Sequence, residues 1–95
     1  MDLLLAYDVA TATQQGQRRL RRVAKVCEGF GVRVQQSVFE LVLDSHELPV
    51  LLDRLQREMD VDEDNVRIYR LDGRVPIVKM GLEAVLSTTR GPLII

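Results

Sequence analysis

Asp8 closes an aliphatic run, Leu3-Leu4-Leu5-Ala6-Tyr7, and its setting invites chemistry more than that of any other carboxylate in the chain. A strand over residues 3–8 alternates, so Leu3, Leu5 and Tyr7 face one side and Leu4, Ala6 and Asp8 the other. Both faces are apolar until Asp8, and a strand of that kind must be covered on both. In a chain of 95 residues, helices can cover one face; a second copy of the chain is expected on the other. By residue type alone, an Asp after a strand is more often a turn or cap residue than a ligand. One carboxylate is also a poor magnesium site, because hard cations take several oxygens. A two-fold axis passing beside Asp8 would change this, giving an ion two carboxylates with water completing its shell.

Other chemistries find little support. Asp60-x-Asp62-x-Asp64 opens like a calcium-binding loop, but Asn65 stands where that loop needs Gly and Leu71 where it needs Glu. His46 is the only histidine and sits at a helix start, and Cys27 is the only cysteine, so neither a metal cluster nor an internal disulfide can be built from them. Cys27 falls on the apolar stripe of a helix, where packing is its expected role. Nucleophile triads, phosphate-cradling loops and dinucleotide fingerprints are absent. No apolar run approaches the roughly 20 residues that cross a bilayer, and Asp2 takes the place of a basic leader segment. A cytoplasmic protein without a membrane partner is expected.

The net charge is −1, unevenly spread. Residues 14–33 carry Arg18, Arg19, Arg21, Arg22, Lys25 and Arg33 against Glu28, a surplus of +5. Residues 40–64 carry nine acids against Arg54 and Arg57, a deficit of −7. The first half points to an anionic partner, with a solvated helix face as the competing reading.

The elements that must position Asp8 follow in order. Thr11 and Gln14 have capping-box spacing ahead of a helix over residues 14–28, buried through Leu20, Val23, Ala24 and Cys27, with Arg18, Arg22 and Lys25 nearly opposite and Arg21 beside them. Gly29 and Gly31 end it, with Phe30 at the core's edge. Residues 32–36 and 38–43 read as two short strands joined near Ser37. Ser45 is the expected cap of a second helix, with Pro49 in its first turn and Leu48, Leu51, Leu52, Leu55 and Met59 as its apolar stripe. An acidic loop spans 60–65, a strand 66–71, a turn forms at Asp72-Gly73, and residues 75–80 make one more strand, placed at an edge by Pro76. Residues 82–86 form a short helical turn or strand, and the apolar tail, 91–95, docks on a surface. The order is that of a ferredoxin-like βαββαβ plait: an α+β fold, one antiparallel sheet with two helices on one face and an extra C-terminal strand. Residues 1–95 form this single domain, with 75–95 as C-terminal strand and tail.

Three motifs carry a family likeness: Tyr7-Asp8 at the end of the first strand, the run from Arg33 through Ser37 and Phe39 to Glu40, and Asp64-Asn65-Val66-Arg67-Ile68-Tyr69. With the Arg-rich helix between the first two, the chain resembles the CRISPR-associated Cas two family over about residues 1–80. The resemblance implies a homodimer packed sheet to sheet, with the strand near residues 75–78 crossing to extend the partner's sheet. It implies that Asp8 of both chains meets at the interface and shares a magnesium or manganese ion. It implies a metal-dependent endonuclease acting on single-stranded RNA or double-stranded DNA, in the spacer-acquisition stage. Alternatively, it implies a non-catalytic scaffold that bridges dimers of the CRISPR-associated integrase on DNA. Asp8 is then the catalytic and metal-binding residue, Arg18, Arg22 and Arg33 contact nucleic acid, and Tyr7, Ser37 and Phe39 support the site. Tyr7 is expected to orient Asp8 or stack a base.

Overall fold

The strand that ends in Asp8 lies at the centre of the sheet. In a computed structural model that describes residues 1–71 and 76–82, the elements are β1 (Asp2–Asp8), α1 (Gln14–Glu28), β2 (Gly31–Gln35), β3 (Val38–Val42), α2 (Glu47–Glu58), β4 (Asn65–Arg70) and β5 (Pro76–Gly81). The sheet runs β2-β3-β1-β4-β5, and every neighbouring pair is antiparallel. This is the ferredoxin-like plait with one strand added at its edge.

Alternation along β1 sorts the molecule into two sides. Leu3, Leu5 and Tyr7 are buried under the helices with Phe39, Leu41, Val66 and Ile68 of the flanking strands. Val23, Ala24 and Cys27 of α1 and Leu51 and Leu55 of α2 close that core. Leu4, Ala6 and Asp8 face the other way, beside Val38, Glu40 and Val42 of β3 and Asn65, Arg67 and Tyr69 of β4. Among the described residues no helix covers this second face, and Val42 is 77% exposed on it.

Two local expectations are corrected. The cap of α1 is Thr13, whose hydroxyl accepts from Gly16 N at 3.0 Å, rather than Thr11. Asp44 rather than Ser45 caps α2, accepting from the amides of His46 and Glu47 at 2.8 and 2.9 Å while Glu47 accepts from Asp44 N. A carboxylate there also favours the positive end of the helix dipole. Residues 76–81, which include part of the segment expected near a partner's sheet, pair with β4 of the same chain. Met80 pairs with Val66 and Val78 with Ile68, which satisfies the outer edge of β4 within one chain. The expected edge position of Pro76 agrees with this arrangement. The turn expected at Asp72-Gly73, the segment after Leu82 and the C-terminal tail lie outside the described residues. Among the described residues no helix is long and apolar enough to cross a membrane.

Candidate metal and nucleic-acid site

Asp8 ends β1 opposite Asn65 of β4. Its carboxylate is exposed, and the ion pairs among the described residues do not involve it. An open cleft of about 260 Å³ surrounds it, lined by Ala6, Tyr7, Glu63, Asn65, Arg67 and Leu82. Arg67 donates from Nε to the side-chain oxygen of Asn65 at 3.0 Å, and Asn65 donates to the carbonyl of Leu82. This chain of bonds fixes the cleft's far wall and leaves the terminal nitrogens of Arg67 for other partners.

Among the described residues no three His, Cys, Asp or Glu side chains gather as a metal site. Asp8 has the donor chemistry a hard cation needs, an exposed carboxylate without a competing cation. It is one donor. Glu63, the other acid at the cleft, is bound by Arg19 at 3.2 Å, and the amide oxygen of Asn65 is taken by Arg67. Among the described residues, Asp8 is therefore the one uncommitted carboxylate at this cleft.

The residues grouped with Asp8 by sequence do not all gather around it. Tyr7 is 5% exposed and points into the helix side. Its ring stacks on Phe39 with centroids 6.1 Å apart, and its hydroxyl donates to the carbonyl of Gln36 at 3.2 Å. Burial pushes its phenol pKa up, with Arg33 pulling it back. The ring is thus closed to a base, and Tyr7 acts on Asp8 only through the backbone, whose amide donates to Ser37 O at 3.0 Å. Phe39 is fully buried core, with the Arg33 guanidinium 5.2 Å from its ring centroid. Ser37 lines a different recess, of about 380 Å³, with Tyr7, Leu20, Arg21, Ala24, Arg33 and Gln36. That recess opens on the helix side, away from Asp8.

The basic residues are likewise divided. Arg33 pairs with Glu28 at 3.1 Å, and Arg22 lies 3.9 Å from Glu58. Both pairs are exposed, and such pairs hold by only about 0–1 kcal/mol, so a phosphate can displace them. Arg18 has no ion-pair partner among the described residues, nor do its neighbours Arg21 and Lys25. These exposed cations belong to α1, in the layer on the opposite side of the sheet from Asp8.

Sequence reasoning missed Arg19 and Asp64. Asp64 is 0% exposed and accepts from Ala10 N at 3.0 Å, Asp60 N at 2.8 Å and Arg19 Nε at 2.9 Å. The hydrogen bond to Asp64 raises the pKa of Arg19 above its ordinary value. Both residues had a signal. Arg19 shares a helix face with Val23 and Cys27, four and eight residues on, and Asp64 alternates onto the same face as Val66 and Ile68. A charge on each of two buried stripes calls for its opposite.

Comparison with known proteins agrees with this fold. The profile of a family described as CRISPR associated protein Cas2 matches residues 1–75. A CRISPR-associated endonuclease Cas2 of Halalkalibacterium halodurans is 48% identical over 71 residues, 75% of this chain and 74% of the relative. A CRISPR-associated endoribonuclease Cas2 of Nitratidesulfovibrio vulgaris is 42% identical over 97 residues, covering 100% of this chain and 94% of the relative. The crystal structure of Streptococcus pyogenes Cas2 at pH 6.5 superposes with a TM-score of 0.70 at 44% identity, covering 75% of this chain and 86% of that one.

Proposed function

We propose a function from one premise: the chain belongs to the CRISPR-associated Cas2 family. It acts as a metal-dependent endonuclease that hydrolyses phosphodiester bonds of single-stranded RNA or double-stranded DNA, in the spacer-acquisition stage of CRISPR defence. The nuclease names of its relatives support this reading. The observation that carries it is Asp8: an exposed carboxylate with no ion pair among the described residues, at the end of a strand whose second face also presents Leu4 and Ala6. Packing two such faces together would bury that apolar surface, at about 25 cal/mol per Å², and bring two copies of Asp8 toward one axis.

In the dimer, Asp8 of each chain would hold one magnesium or manganese ion. When bound, the ion would lower the pKa of a water molecule and offset charge at the scissile phosphate. Arg67 lines the cleft with its Nε held by Asn65, and its remaining N–H groups would be available to a phosphate oxygen there. Arg18, Arg22 and Arg33 contact the nucleic-acid backbone beyond the cleft, and each neutralised phosphate makes binding more sensitive to salt. The test is a cleavage panel on RNA and DNA with magnesium or with chelator, using Asp8→Asn as control. Cleavage should require magnesium and vanish in the variant. Equal cleavage by both proteins would mean a contaminating nuclease and end the proposal.

One observation favours a second reading, a scaffold that holds DNA between integrase dimers without cutting it. The exposed cations of α1 and the Asp8 carboxylate lie on opposite sides of the sheet, so nucleic acid can bind the first without reaching the second. On this reading Arg18→Glu with Arg22→Glu abolishes both DNA binding and spacer acquisition, whereas Asp8→Ala leaves both intact. Loss of acquisition in Asp8→Ala protein would exclude it.

A further inference from the structure

We infer that Asp64, backed by Arg19, is the positioning residue for Asp8. The inference deepens the hydrolytic reading above and rests on it.

Where the Asp8 carboxylate points is set by the course of the backbone just beyond it. That backbone leaves the sheet at Asp8, and no ladder bonds hold it afterwards. Asp64 takes over. Its Oδ1 accepts from Ala10 N, two residues past Asp8. Its Oδ2 accepts from Arg19 Nε and Asp60 N. One buried carboxylate thereby ties the loop after Asp8 to α1 and to the turn before β4. The neighbours of Asp64 build the cleft: Glu63 and Asn65 flank it in sequence, and Leu82 N donates to its carbonyl at 2.8 Å.

Two glycines show how closely this junction is packed. A Cβ on Gly16 would fall 1.9 Å from Ala10 O, so the first turn of α1 rests directly on the loop. A Cβ on Gly81 would fall 1.8 Å from Asp64 O, and Gly81 has φ +99°, a conformation glycine alone adopts at little cost. The loop has little room to move while the Asp64 bonds hold.

The donor arrangement also explains why the residue must be an acid. Three N–H groups converge on two oxygens. An Asn would place its single oxygen where two donors meet, on the Arg19 and Asp60 side, and turn its NH2 toward Ala10 N–H. Asp64→Asn is therefore a selective lesion that releases Ala10 while keeping the other two bonds.

The experiment compares wild type and Asp64→Asn as full-length dimers. Manganese binding is followed by calorimetry without nucleic acid, and amide hydrogen exchange is read at Ala10. The expected result is a tenfold or greater loss of manganese affinity, the scale seen when a group orienting a metal ligand is removed, with loss of protection at Ala10 and unchanged protection in β3. If Asp64→Asn does not fold, Ala10→Pro removes the same bond from the donor side and leaves Asp64 with Arg19; the same weakening is expected. Wild-type manganese affinity in whichever variant is folded overturns the positioning role and leaves the hydrolytic reading standing. Wild-type protein that neither binds manganese nor cleaves overturns that reading, and the positioning role with it.

Discussion

Asp8, at the end of β1, and Asp64, just before β4, carry the same side chain at one end of the β1–β4 pair, and the fold treats them oppositely. Asp8 is exposed and has no ion pair among the described residues, whereas Asp64 is sealed from solvent with three donors, one of them a guanidinium. The difference teaches which acid is available for external chemistry. A buried carboxylate whose oxygens are filled by its own chain has nothing left to offer a ligand. An exposed one with unused lone pairs costs the fold nothing to keep and stays open to a cation. The sequence already set Asp8 apart and left Asp64 as one acid among several in a loop.

The comparison breaks most readily at Asp64. Asp64→Ala leaves three donors unsatisfied, one of them a charged Arg19 that is largely buried. Leaving those donors unsatisfied should cost about 1–3 kcal/mol, read as a lower midpoint of urea unfolding. A loss under about 1 kcal/mol would place Asp64 among ordinary surface acids.

Cys27 sharpens the contrast, as a buried ionisable group without a charge partner. Burial pushes its thiol pKa up to about 12, above the roughly 8.5 of a thiol in an unfolded chain. A raised native pKa means that the neutral form is favoured by folding. The corresponding stability is full below about pH 8.5 and is lost as pH climbs toward 12, by at most about 1.4 kcal/mol per unit. Tyr7, also raised, adds a loss of the same sign at higher pH. Unfolding midpoints measured from pH 7.5 to 10 should fall, and Cys27→Ala should flatten the fall. An equal slope in the variant would assign it to other groups.

Thr13→Ala removes the hydroxyl that accepts from Gly16 N. It should cost about 1 kcal/mol and lower the midpoint without changing the urea dependence. The smallest stability effect belongs to Asp8→Asn, expected within about 0.5 kcal/mol of wild type although it should remove magnesium-dependent cleavage. A large destabilisation there would show Asp8 engaged in the fold and erase its difference from Asp64.

Much of the fold was legible because periodicity is local. Alternation along residues 3–8 correctly divided Leu3, Leu5 and Tyr7 from Leu4, Ala6 and Asp8. Helical spacing picked out Val23, Ala24, Cys27, Leu51 and Leu55 as core. Cap positions were less legible, since Thr11 and Thr13, or Asp44 and Ser45, differ by a step or two that only backbone geometry settles. The site was legible in part. Asp8 stood out, but Tyr7, Ser37 and Phe39, its neighbours in the sequence motifs, proved to serve the other side of the sheet.

By itself the sequence determined the order of elements, the face each residue takes, and the strand-end position of Asp8, because each depends on backbone dihedrals over a few residues. Only the tertiary structure decided what each side chain meets. Arg19 reaches Asp64 across 45 positions, β5 joins β4 of its own chain, and the basic face of α1 lies across the sheet from Asp8. Those outcomes depend on how separate layers pack, and a pattern repeating every two or 3.6 residues carries a direction but no partner.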